Sequence, residues 1–119
     1  MGNQILLIDD DVDLLESFEE SLQLVGYAVI TATSGENGLK LFIENDPCIV
    51  FSDVKMPEMD GYELFLKIRK FNPSAKVVLI TGYEDEEKTN IAKNNGLLDV
   101  LSKPISINTL SDTIKKNGY

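Results

Sequence analysis

With 119 residues, 43% of them apolar and 26% charged, the chain has the size of one compact domain over residues 1–119 and the composition of neither a disordered nor a fibrous protein. Eleven Lys and Arg against twenty Asp and Glu leave a net charge of −9, a field that opposes direct binding to nucleic acids or to anionic membrane surfaces. No apolar stretch approaches the roughly 20 residues of a membrane span, Met1-Gly2-Asn3-Gln4 lacks the basic region of a secretory signal, and the lone Cys48 has no disulfide partner, which together suit the reducing cytoplasm.

In chain order, Ile5-Leu6-Leu7-Ile8 is a short apolar run without alternation, the pattern of a strand covered on both faces of a parallel sheet. Asp9-Asp10-Asp11 follows it. Leu15, Phe18, Leu22 and Val25 fall at i, i+3, i+7 and i+10, the buried stripe of a first helix, and Gly26 supplies the residue type that a left-handed C-terminal cap needs. Residues 27–30 read as a second strand, and Ser34 as the N-cap of a second helix. Gly35-Glu36-Asn37-Gly38 lies in that helix start without the spacing of a phosphate-cradling loop, so nucleotide binding has no support. Residues 49–51 form a third strand, with Cys48 at its start as a small buried hydrophobe, and the strand leads to Asp53.

Leu64, Ile68 and Phe71, at i, i+4 and i+7, mark a third helix, and residues 77–80 a fourth strand running into Thr81. Residues 84–95 make the weakest helix, with Ile91 and Ala92 almost its only apolar anchors, a composition that lets a helix move. Gly96 caps it. A fifth strand over 97–101 precedes Lys103-Pro104, and Ser106 is placed as the N-cap of a fifth helix. Strand and helix thus alternate five times. Right-handed crossovers turn that order into an α/β fold with an open, doubly wound parallel sheet; its five strands are expected in the flavodoxin-like order 2-1-3-4-5, with five helices on both faces.

In such a sheet the ligand crevice lies beyond the carboxyl ends of the strands, where strand order reverses between strands one and three. Asp9 and Asp10 end the first strand, Asp53 the third and Thr81 the fourth, and Lys103 follows the fifth. Two carboxylates about 5 Å apart repel by roughly 3 kcal/mol at an effective dielectric near 20. A cation must therefore sit among them. Oxygen donors in a chain with no His argue against zinc and for Mg²⁺. Neighbouring residues of a strand point to opposite faces, so Asp10 is expected to bind directly and Asp9 through water, unless the chain turns there. A carboxylate beside a hard cation, a hydroxyl and an ammonium is the set of parts for phosphoryl transfer onto the carboxylate itself. Asp53 is then the nucleophile, with Thr81 hydrogen-bonding a transferring oxygen and Lys103 neutralising charge.

Four segments, Ile8-Asp9-Asp10-Asp11, Asp53-Val54-Lys55-Met56-Pro57-Glu58-Met59-Asp60-Gly61, Ile80-Thr81-Gly82 and Lys103-Pro104, stand in the order and at the spacing of the receiver domain of two-component response regulators. The chain resembles that family, in its chemotaxis-regulator-like form, over essentially its whole length. The resemblance implies Asp53 as phosphoacceptor, and Asp10 and Asp53 as Mg²⁺ ligands assisted by Asp9 and by the backbone carbonyl of Lys55. It further implies Thr81 and Lys103 at the phosphoryl group and a cis Lys103–Pro104 peptide. The implied donor is a phosphohistidine on a sensor histidine kinase or a histidine phosphotransfer protein. The implied output is a downstream effector domain or protein, reached through the fourth helix, fifth strand and fifth helix of a monomer or weak dimer. Such a domain is not an enzyme beyond catalysing its own phosphorylation and dephosphorylation.

Phosphorylation would draw Thr81 toward the phosphoryl group and shift the loop after strand four together with the fourth helix. Val100 stands where many members carry an aromatic residue that moves with this threonine, and Tyr83 is the candidate for part of that role. Two rival readings use the same residues. A haloacid-dehalogenase-like phosphohydrolase would employ Asp9 as nucleophile and Asp11 as acid, but Asp13 replaces its expected hydroxyl residue and Asp53 has no role in it. A non-phosphorylated pseudo-receiver binding module would lack an acidic residue or the lysine, and none is missing. A flavin carrier is disfavoured because an acidic strand edge repels a phosphate.

Overall fold

The computed structural model describes residues 4–119. Strands β1 (Gln4–Ile8), β2 (Ala28–Ala32), β3 (Ile49–Asp53), β4 (Val77–Thr81) and β5 (Asp99–Ser102) alternate with helices α1 (Val12–Leu24), α2 (Gly35–Asn45), α3 (Gly61–Phe71), α4 (Glu86–Asn94) and α5 (Ile107–Lys116). All pairings are parallel, as the alternation implies, and the order is the expected β2-β1-β3-β4-β5.

Both faces of the central strands are buried, which is why their sequences show no period of two. Leu6, Ile8, Val50, Val77 and Leu79 point into one core with Phe42 of α2, Leu64, Phe65 and Ile68 of α3, and Ala92 of α4. Their neighbours Ile5, Leu7, Ile49, Phe51, Val78 and Ile80 point into the other, with Leu15 and Leu22 of α1 and Leu110 and Ile114 of α5. Three helices therefore cover one face and two the other.

The expected caps form. Ser34 accepts the Asn37 N–H at 3.1 Å and Ser106 the Thr109 N–H at 3.2 Å, while Gly26 and Gly96 have φ of +100° and +94°. Several expected positions shift. Strand β2 spans Ala28–Ala32 rather than 27–30, because pairing in register with β1 carries it as far as Ala32 opposite Ile8. Strand β5 begins at Asp99 rather than 97: the Leu97 N–H is used on the Ala92 carbonyl in closing α4. Helix α4 spans Glu86–Asn94 rather than 84–95, because Asp85 is its N-cap.

Burial departs from the helical stripes at helix ends. Val25 is 63% exposed because α1 stops at Leu24, and Phe71 is 57% exposed at the last turn of α3, meeting Phe42 only edge-on at 6.3 Å. Ile91 is 50% exposed, so Thr89 and Ala92 anchor α4 instead. Cys48 is half-buried at the edge before β3, not enclosed, and what burial it has pushes its thiol up from the ordinary value. No helix among the described residues is long and apolar enough to cross a membrane.

Candidate functional site

The carboxyl ends of β1, β3, β4 and β5 converge as the strand order requires. Strand β1 stops at Ile8 and the chain turns at Asp9 and Asp10 before Asp11 caps α1, accepting the Leu14 N–H at 3.2 Å. The turn frees both aspartates from the strict alternation of a strand. One carboxylate oxygen from each of Asp9, Asp10 and Asp53 lies within 4.8 Å of the other two. Asp53 and Asp9 are buried, 4% and 7% exposed, and Asp10 faces solvent.

Lys103, immediately after β5, closes the far side. Its Nζ stands 3.1 Å from Asp53 Oδ1 and 3.9 Å from Asp9 Oδ2. It is placed there by its own N–H, which donates to the Thr81 carbonyl at 2.9 Å, and the peptide to Pro104 is cis. Burial pulls the Lys103 ammonium down, but the hydrogen bond and charge of Asp53 and the charges of Asp9 and Asp10 outweigh it and hold the group above the ordinary lysine value. One ammonium thus balances three carboxylates only in part.

Octahedral coordination at about 2.1 Å puts neighbouring ligand oxygens about 3 Å apart and opposite ones about 4.2 Å apart. Three oxygens within 4.8 Å of one another fit a small hard cation of this kind with slight adjustment. Lys55 is exposed and lines the same crevice.

Asp9 carries the largest cost. Burial raises its carboxyl to about 6 from 3.8, against the opposing hydrogen bond from the Asp11 N–H at 2.9 Å, with Asp53 and Asp10 pushing further up and Lys103 down. A carboxyl whose folded value is raised favours folding most at low pH, where it is protonated in both states. That contribution falls as pH climbs from about 4 to about 6. Metal-free protein is accordingly expected to lose up to about 3 kcal/mol over that window relative to Asp9→Asn. Denaturation in chelator at several pH values measures it, and parallel curves for the two proteins would remove the assignment. Because cations bind the ionised form, Mg²⁺ affinity should weaken below about pH 6.

Thr81 is buried at the end of β4, but its hydroxyl is turned onto its own chain. It donates to the Tyr83 carbonyl at 2.8 Å and accepts the Tyr83 N–H at 3.1 Å, while the Tyr83 ring is 87% exposed. A cavity of about 460 Å³ joins Asp53, Lys55, Thr81 and Lys103 and extends to Tyr62 and Lys88 on α3 and α4. Sequence patterning did not single out those last two. Tyr62 lies next to Gly61 on the buried face of α3, outside the Leu64, Ile68 and Phe71 stripe, and no spacing marks Lys88 among the charges of α4.

The site defines a class: a doubly wound α/β protein whose acidic crevice, at the reversal of strand order, is closed by one ammonium. The family model for the response regulator receiver domain matches residues 5–115, and the chain belongs to that family. It is 36% identical over 110 residues to the transcriptional regulatory protein GlrR of Escherichia coli K12, covering 92% of this chain and 25% of that protein. To the C4-dicarboxylate transport transcriptional regulatory protein DctD of Rhizobium meliloti it is 33% identical, over 94% of this chain and 24% of that one. The chain thus spans about a quarter of the length of these relatives. Among solved structures it is similar to a receiver domain protein from Clostridium thermocellum, with TM-score 0.89 and 32% identity over 98% of this chain and 94% of that one. A CheY-like receiver domain protein from Methanospirillum hungatei gives TM-score 0.91 and 31% identity over 98% and 93%. The chain is therefore a receiver domain of the two-component response regulators, a signal-transduction module, and the phosphohydrolase and pseudo-receiver readings are not favoured.

Proposed function

We propose that Asp53 is the phosphoacceptor, and that residues 1–119 act as one receiver unit taking a phosphoryl group from phosphohistidine on a sensor histidine kinase or histidine phosphotransfer protein. The observation that carries this is the Lys103 ammonium 3.1 Å from a buried Asp53 whose other neighbours are the carboxylates of Asp9 and Asp10. An Asp53 oxygen attacks phosphorus in line, an O–P bond forms, the P–N bond to the donor breaks, and the departing imidazole keeps the bond's electron pair and takes a proton. Lys103 compensates charge on the transferred oxygens. Thr81 turns its hydroxyl from Tyr83 to one of them. Mg²⁺, held by Asp10 and Asp53 with Asp9 through water and the Lys55 carbonyl, would supply further charge neutralisation.

The same reading places the protein in the cytoplasm, where a kinase could reach it, and passes its output to a downstream effector domain or protein. Its relatives are transcriptional regulatory proteins of which this chain matches about a quarter. The output face is α4, β5 and α5, acting as a monomer or weak dimer, and its only catalysis is of its own phosphorylation and dephosphorylation.

Incubation with acetyl phosphate and Mg²⁺, followed by intact mass, tests the assignment. Wild type is expected to gain one phosphoryl increment, Asp53→Asn none, and Asp9→Asn a reduced but detectable amount. An increment retained in Asp53→Asn and abolished in Asp9→Asn would transfer the acceptor role to Asp9.

A further inference from the structure

Helix α4 is lightly held. Of Glu86–Asn94 only Thr89 and Ala92 are buried, and two small side chains remove too little apolar surface from water to fix a helix by packing alone. What meets α4 from α3 is the phenol of Tyr62, 7% exposed, with its oxygen 2.8 Å from the Thr89 hydroxyl and 3.5 Å from the carbonyl of the N-cap Asp85. Among the described residues this is the one hydrogen bond joining two buried side-chain hydroxyls. Deleting the phenol oxygen takes from the buried Thr89 hydroxyl its Tyr62 partner, and deleting the Thr89 hydroxyl leaves the phenol only the longer contact to the Asp85 carbonyl. At the rim, Lys88 lies 3.8 Å from Asp60 and 6.0 Å above the Tyr62 ring.

The same tyrosine is tied to the acceptor strand. Tyr62 follows Gly61, whose N–H donates to the Val54 carbonyl at 2.8 Å, and Val54 follows Asp53. On the opposite side of the cavity Thr81 grips both the N–H and the carbonyl of Tyr83. Residues 82–85, all exposed, are thus held at one end by Thr81 and at the other by Tyr62, two side chains lining the cavity that contains Asp53. If the Thr81 hydroxyl leaves Tyr83 for a group on Asp53, this segment is released at one end and the Tyr62 bonds to Asp85 and Thr89 take the load. Val100 on β5 has no hydroxyl with which to share it.

We propose that the Tyr62 hydroxyl is a latch that holds α4 in its unphosphorylated position and through which the state of Asp53 is passed to α4. The second half rests on Asp53 being the phosphoacceptor. Tyr62 is a positioning residue and does not touch the phosphoryl group.

Amide hydrogen exchange on the whole chain, with and without acetyl phosphate and Mg²⁺, tests the latch in wild type, Tyr62→Phe, Thr89→Val and Thr89→Ser. Without phosphorylation, Tyr62→Phe and Thr89→Val should exchange the α4 amides about tenfold faster than wild type. The sheet amides should be unchanged, and Thr89→Ser, which keeps the hydroxyl, should stay near wild type. Phosphorylation should accelerate the same α4 amides in wild type and add little in Tyr62→Phe, which still gains the phosphoryl increment. Wild-type α4 rates in both hydroxyl-free variants, or acceleration spread evenly across the sheet, would overturn the latch. Phosphorylated wild type with unaltered α4 exchange would overturn its role in signalling. A wild type that takes up no phosphoryl group defeats the function proposed above, while the unphosphorylated comparison still decides the latch.

Discussion

Lys103→Met should slow phosphoryl uptake from acetyl phosphate by about a hundredfold or more, the scale of removing one charge-stabilising donor from a reacting centre, while tightening Mg²⁺ binding. The two effects have opposite sign because the ammonium serves different states. Before transfer it occupies oxygens that a cation would use, 3.1 Å from Asp53 and 3.9 Å from Asp9. A unit charge at about 4 Å is worth at least about 1 kcal/mol even in a water-like dielectric, so its loss should raise cation affinity about fivefold to tenfold. In the transfer proposed onto Asp53 the same ammonium would face the oxygens that gain charge, where methionine of similar length cannot replace it. Calorimetric titration with Mg²⁺ and a mass time course read the two effects separately. Weaker Mg²⁺ binding together with undiminished uptake would show that Lys103 only props the crevice.

Gly61→Ala should cost about 3 kcal/mol of folding stability and slow uptake at Asp53 as well. A Cβ at this position would lie 2.6 Å from the Asp53 carbonyl oxygen and 2.8 Å from the Val54 Cα. Both obstacles are backbone, so no side-chain rotation relieves the clash. Either the first turn of α3 moves out, stretching the 2.8 Å bond from the Gly61 N–H to the Val54 carbonyl, or the end of β3 shifts and carries Asp53 with it. Gly35→Ala is the control. Its Cβ would first meet the Met59 side chain, at 3.0 Å from the sulfur and 3.1 Å from Cβ and Cγ; these overlaps are smaller and none is with backbone, so its cost should stay well below that of Gly61→Ala. With no Trp in the chain, denaturation followed by circular dichroism measures both. Equal costs for the two variants would mean that the β3–α3 connection is looser than its contacts indicate.

Much of the fold was legible because the central strands are buried on both faces. A run such as Ile5-Leu6-Leu7-Ile8 has to be apolar throughout when Leu6 and Ile8 enter one core and Ile5 and Leu7 the other. The caps were legible because Ser34, Ser106, Gly26 and Gly96 satisfy requirements within a few residues of chain. Misreadings cluster where helices end. Val25 and Phe71 continue the period of their stripes, but a stripe carries no information about the turn at which the helix leaves the core. On α4, Ile91 looked like an anchor and Thr89 did not, because the position facing the Tyr62 phenol rewards a hydroxyl over a larger apolar group.

What the sequence by itself determined was the α/β alternation, the edge of the sheet on which Asp9, Asp10, Asp53, Thr81 and Lys103 gather, and the receiver family those residues mark. The alternation and the shared edge follow from periods and spacings along one chain, and the family from the resemblance that four segments of it carry. The tertiary structure alone decided that the turn after Ile8 lets Asp9 and Asp10 both reach Asp53, that the Thr81 hydroxyl rests on Tyr83, and that Tyr62 bonds to Thr89 across 27 residues of chain. Such contacts are settled by how separate elements meet in space. A hydroxyl's partner depends on distances and angles of a few tenths of an ångström, and no repeat in the sequence encodes them.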